Sequence, residues 1–291
     1  MRQIAKACIL AALLAAAPSQ AQDARDKEIV VEAARTLDRS AVAARIRDGY
    51  PAKVLRAPIM RFHDPVCLQV NGLGPSGDGQ VFAHMHAEIQ SLGIRLAKSG
   101  CRANAVVVVS TEPRAQLERI SARMPRLLPA NVLEDKAGEF ASGAHSVVWH
   151  NRTVRGANGE ALPLSGGIAG WTGPPVVNGL VNNNGRASVY RAGYSLAAEI
   201  GVVAYDARKL VDVELHQLAH HAVMRLLAPG FAIDVEPGAS DSVLSGIAFG
   251  AGPERLTQLD RAILSALYDM APNDYGTVLV RAAGKAYVAE D

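Results

Sequence analysis

The chain has 291 residues, 49% of them hydrophobic and 20% charged, with 30 basic side chains against 28 acidic ones. So even a balance gives no electrostatic footprint for nucleic acid or an anionic membrane surface, and after the leader no window approaches the ~20 continuous apolar residues of a membrane span. The length permits one large domain, or a domain with an appendage.

At the N-terminus Arg2 and Lys6 form a short basic region, Ala7 to Ala17 is a run of small and apolar residues, and Ser19-Gln20-Ala21 offers small residues to a signal peptidase. This pattern predicts a secretory signal peptide over 1–21. Cys8 lies at the start of that run rather than after it, so no lipoprotein anchor is expected. Removing the leader also removes two cations and brings the formal charge to zero. Of the three cysteines, Cys67 and Cys101 then remain, and an even count in an exported chain predicts a disulfide between them.

Residues 22–60 read as a lead-in segment, with a short strand at EIVVEA and a helix capped by Ser40 that carries Val42 and Ile46 to Gly49. A principal domain is expected over 61–275 and a tail over 276–291. PVCLQV is a strand, GPSGDG a turn, QVFAHMHAEIQSLG a helix with Val81, Met85, Ile89 and Leu92 on one face, and NAVVVVS a buried strand. Strand, helix and strand in that order predict a βαβ unit with parallel strands. Pro113 opens a helix through Leu117, Ile120 and Met124, and HSVVWHNRTV is a strand. Eight glycines and five asparagines in 156–186 leave no room for a long regular element, and the stretch reads as an insertion. EIGVVAYD, 199–206, is a strand leading into a helix over 213–227. A last helix begins at Thr257, where Thr257 and Asp260 fit a variant of the capping box. The fold class is α/β (α+β), a mixed sheet with packed helices.

The helix over 213–227 holds His216, His220 and His221. His216 and His220 stand four residues apart and share a face, half of a zinc site. The string HQLAH is one letter from HExxH, with Gln217 in place of the glutamate that takes the proton from a metal-bound water. An amide cannot accept that proton. A third ligand six residues beyond the second histidine would fall on Leu226. His221 points toward Glu214, Gln217 and Arg225, which reads as a solvated face. His84 and His86 lie on different sides of their own helix, so those two do not form a chelating pair. Read from the residues alone, the histidine helix is an ordinary structural helix before it is a metal site.

Its context adds a resemblance. The strand EIGVVAYD, the helix with HQLAHHAVM, then Ser242-Val243-Leu244-Ser245 and LTQLDRAILSALYD resemble, over about 199–270, metzincin-like zinc peptidases, with Leu244 at the place of the turn methionine. Thr257, Asp260, Leu264, Leu267 and Tyr268 match the closing helix of that pattern. The whole chain, through EIVVEAAR, RFHDPVCLQVNGL, GCRANAVVVVS, VVAYDARKL, QLAHHAVMRLLA and LTQLDRAILSALY, resembles a family of exported proteobacterial proteins of unassigned function. Those proteins carry Asp-Tyr where this chain has His220-His221, and no histidine at His216.

These readings imply a zincin-like fold with a degenerate HExxH helix, located in the periplasm or secreted. Two functions follow. The first is a non-catalytic protein without a cofactor that binds a protein, peptide or envelope component. It is favoured by Gln217 and Leu226 and by the lack of GxSxG, of a free catalytic cysteine and of a phosphate-binding glycine loop. The second is a zinc-dependent hydrolase with His216 and His220 as metal ligands.

Overall fold

A computed structural model of the protein describes residues 37–162, 176–177, 180–181, 187–233, 241–245 and 252–287, all within one compact unit. The leader at 1–21, the strand read at EIVVEA and most of the insertion at 156–186 lie outside them. The strands are β1 (Leu68–Asn71), β2 (Ala105–Ser110), β3 (Ser146–Arg155), the short pair β4 (Val176–Val177) and β5 (Leu180–Val181), and β6 (Ser195–Asp206). The helices are α1 (Arg39–Gly49), α2 (Ala52–Leu55), α3 (Gly74–Ser91), α4 (Pro113–Arg123), α5 (Ala130–Ala141), α6 (Leu215–Leu227), α7 (Gln258–Asp269) and α8 (Gly276–Ala286). The class is α/β. No helix among the described residues is long and apolar enough to cross a membrane.

The main sheet has the order β1-β2-β6-β3. β1 and β6 run parallel to β2, and β3 closes one edge antiparallel to β6. Side chains on the central strands alternate between two cores, as the pleat requires. Val107, Val109, Val203 and Tyr205 face α1, α3, α6, α7 and α8. Val108, Val202 and Ala204 face the other way, where α4 and the Trp149 ring meet them. With helices on both faces, the sheet can carry the nearly continuous apolar runs AVVVV and GVVAY.

Several segments differ from the sequence expectation. GPSGDG, read as a turn, is the first part of α3: Pro75 occupies the opening turn, where its missing N–H costs nothing. The Asp78 carboxylate accepts the Leu73 N–H at 2.9 Å, satisfying a donor at that end. The turning is done just upstream by Gly72, at φ +115°, where a Cβ would strike the Val109 carbonyl. α1 is capped by Asp38, which accepts from Ala41 N, while Ser40 lies inside the helix and donates to Asp38. α5 was not expected from the sequence. The segments read as lead-in and tail contribute α1 and α8, and Val42, Ile46, Leu279 and Ala283 are fully buried in the larger core.

Candidate functional site

β6 runs into the core and a short 3-10 turn, Ala207–Lys209, redirects the chain to α6. α6 lies against β6, α3 and α7. It is therefore buried on more than the one stripe that its leucines define: Gln217, His220 and His221 are buried with Leu218, Ala219, Ala222 and Leu226.

His221 corrects the expectation of a solvated face. It is 2% exposed, its Nδ1 lies 2.7 Å from the Tyr205 hydroxyl, and the His145 ring packs edge-on against it. Burial depresses the His221 pKa, with the Arg225 guanidinium adding to the effect. Burial also raises that of Tyr205. Both groups are thus neutral, and the hydroxyl donates to the imidazole. The pair is a satisfied piece of core.

His216 and His220 project from α6 toward α3. His216 keeps about a quarter of its side chain exposed, and its Nε2 lies 3.2 Å from the exposed Glu254 carboxylate. His220 is deeper, with 9% of its side chain exposed, and its Nδ1 has no hydrogen-bond partner. Glu88 Oε2 lies 3.6 Å from it, beyond bonding range. Burial holds the His220 pKa at about 4, helped by the cations Arg255 and Arg261. Glu88, itself buried, is paired with Arg261 at 2.7 Å. One turn earlier on α3, the exposed His84 ring stands 6.2 Å from that of His216, centroid to centroid. Sequence reasoning did not find His84 and Glu88 as neighbours of the histidine helix. Their i,i+4 spacing is visible, but only the packing of α3 on α6 gives it a partner.

As the side chains stand, no group of three His, Cys, Asp or Glu residues among those described is gathered closely enough to hold a metal. Gln217 is buried and cannot serve as a base. Leu226 is fully buried, and its carbonyl accepts a 2.9 Å hydrogen bond from His150 Nε2. Of the acidic residues downstream of α6 that could supply a third ligand, Asp234 and Glu236 lie outside the described residues, and Asp241 is paired with Arg45 at 2.6 Å.

The turn after α6 is tied down from α7. Thr257 caps α7 in a reciprocal capping box with Asp260. The Asp260 carboxylate accepts from Ser242 Oγ at 2.5 Å, Val243 N at 2.9 Å and Thr257 N at 3.0 Å. Burial raises the Asp260 pKa against the opposing pull of these donors. Leu244 is packed in the core beneath. At the far edge of the sheet, Cys67 and Cys101 form a disulfide, with Cα atoms 6.1 Å apart. Beside it is a cavity of about 520 Å3 lined by Leu68, Gln69, Phe82, His86 and Leu96.

The fold and site define an α/β protein in which a histidine-bearing helix is clasped between a sheet, a second helix and a tied turn. Comparison of the chain with protein-family models, curated proteins and solved structures finds no significant match.

Proposed function

We propose that the protein is exported, zincin-like and non-catalytic, and binds a protein, peptide or envelope component. The observation that carries this reading is the pair Gln217 and Leu226. An amide stands where hydrolysis needs a carboxylate base, and a fully buried aliphatic side chain stands where a third metal ligand would be. The zincin-like reading is supported by the order β6, α6, tied turn and α7, with Asp260 bonded to the turn that matches the pattern. Export is supported by the Cys67–Cys101 disulfide, which suits an oxidising compartment. For binding, the support is the cavity beside β1: β1 ends the sheet order, and Phe82 exposes 40% of its surface there. An outer strand edge next to an apolar hollow can accept an extended segment by main-chain pairing.

The test is a broad peptide library with added zinc, offered to the wild type, Gln217→Glu and Phe82→Asp. We expect no cleavage by any of them, because restoring the base leaves Leu226 in the third-ligand position. Peptides should be retained by the wild type and by Gln217→Glu, and lost in Phe82→Asp. Metal-dependent turnover by the wild type would establish the hydrolase in place of this reading. Absence of any retained peptide would remove the peptide-binding form of it.

A further inference from the structure

We propose that a cavity walled in part by Arg61 binds a carboxylate that carries an apolar body. The cavity, of about 410 Å3, lies where the approach to β1 meets the segment after α3, the turn after β3 and the end of α7. A hollow of that size suits a small ligand. It shares no lining residue with the cavity beside β1, so the inference does not rest on peptide binding there.

Two observations point to a ligand there. The first is Arg61 itself, which is 4% exposed. Its Nη2 donates to the Met270 carbonyl at 2.5 Å, while its Nη1 is buried without a partner. The carboxylates around it are engaged elsewhere. Asp64 pairs with Arg155, and Asp274 takes Arg191 at 2.8 Å and the Ala271 N–H at 3.0 Å. Glu160 accepts the Asn158 N–H at 3.0 Å within its own turn. A guanidinium stays charged in a protein, and an enclosed charge without a counter-ion is strongly disfavoured. An anion in the adjoining space supplies both the counter-charge and the acceptor. The second observation is His63, another wall residue, both of whose ring nitrogens are buried without hydrogen-bond partners. Burial holds its pKa at about 4, helped by Arg61 and Arg155. The ring is therefore neutral and has one N–H to donate.

The surroundings choose the kind of anion. One guanidinium lacks a counter-ion, so a single negative charge balances the site. A dianion such as phosphate would also meet Asp64 and Glu160, which line the same cavity. The Tyr268 hydroxyl, 3.5 Å from the Phe62 N–H it accepts, has a proton of its own to give. Exposed Arg95, which donates to the His63 carbonyl, places a further positive charge at the rim. The remaining wall includes Phe62, Ile94 and Pro272, which favours an aliphatic or aromatic body behind the carboxylate. A free small acid carries that chemistry, and so does the C-terminus of a peptide ending in an apolar residue.

The experiment titrates para-fluorobenzoate, and its neutral amide, into the full chain at constant ionic strength and follows both by fluorine NMR. Circular dichroism confirms the fold of each variant. The wild type should bind the carboxylate saturably and the amide at least roughly tenfold more weakly, the worth of one charge-assisted hydrogen bond. Arg61→Gln should weaken the carboxylate by a similar factor. Should that variant not fold, Asn158→Trp carries the test: Asn158 is an exposed wall residue, and an indole there obstructs the cavity and should abolish binding. Peptides ending in para-fluorophenylalanine, with a free or an amidated C-terminus, separate the sources. Binding of the free-ended peptide together with the benzoate assigns a chain terminus, and binding of the benzoate alone assigns a small free acid. No saturable binding of either carboxylate overturns the proposal, as does binding that Asn158→Trp leaves unchanged. Inorganic phosphate binding more tightly than the benzoate would overturn the assignment to a carboxylate.

Discussion

Asp260 makes two connections with one carboxylate. It closes the capping box of α7 and holds the Ser242–Val243 turn by two further bonds. Asp260→Ala leaves the Ser242 hydroxyl and the Val243 N–H without their acceptor in the interior, and each buried donor left unpaired costs about 1–3 kcal/mol. Equilibrium urea unfolding should therefore show a loss of at least roughly 2 kcal/mol. A loss below about 0.5 kcal/mol would mean that water replaces the carboxylate and the turn is held some other way. Thr257 and Asp260 were legible in the sequence because a capping box is local, written within four residues. Glu88 was not legible. Nothing in QVFAHMHAEIQ says that its carboxylate faces a histidine 132 positions away, and charge patterning alone would put a glutamate in solvent. His221 failed for a related reason: its stripe with Gln217 and Arg225 looks polar, and only the close packing of β6 and β3 around α6 buries it.

The elements themselves were easier to read. β1, β2, β3, β6, α4, α6 and α7 all coincide with periodic or apolar runs, because the pleat and the helix impose their periods on any half-buried segment. The failures were at GPSGDG, where glycine and proline mark a helix start as readily as a turn, and at α5, whose ANVLEDKAGEFA buries Ala137 and leaves Val132, Leu133 and Phe140 only half-buried against the smaller core. The βαβ unit carries its own prediction. The disulfide closes 34 positions of chain around α3, which in the chain-entropy model is worth about 3–4 kcal/mol. Reduction should lower the unfolding free energy by that order, measured with and without reductant in the same denaturant series. Two alkylatable thiols in the native, unreduced protein would contradict the pairing.

At the scale of the whole molecule, the buried histidines set the acid limit. Burial holds His145, His150 and His220 at about 4 in the folded chain, each from an ordinary 6.5. The unfolded chain takes up protons at these positions as pH falls below 6.5, while the folded chain does not. Their contribution to stability is therefore complete above pH 6.5 and is lost as pH falls through 4. In a metal-free buffer the melting temperature should drop by more than about 5 °C between pH 7 and pH 4.5. A flat profile over that window would show that these rings are hydrated in solution. The same core has a consequence for the order of assembly. α1, near the front of the chain, packs on α8, near its end, and Leu37 N donates to the Tyr287 hydroxyl at 3.1 Å across 250 positions. A chain delivered N-terminus first thus carries Val42, Ile46 and Tyr50 without their cover until Leu279, Val280 and Ala283 arrive. The larger core closes only once α8 has been released, so α1 waits for its cover while the whole of the main sheet is being made.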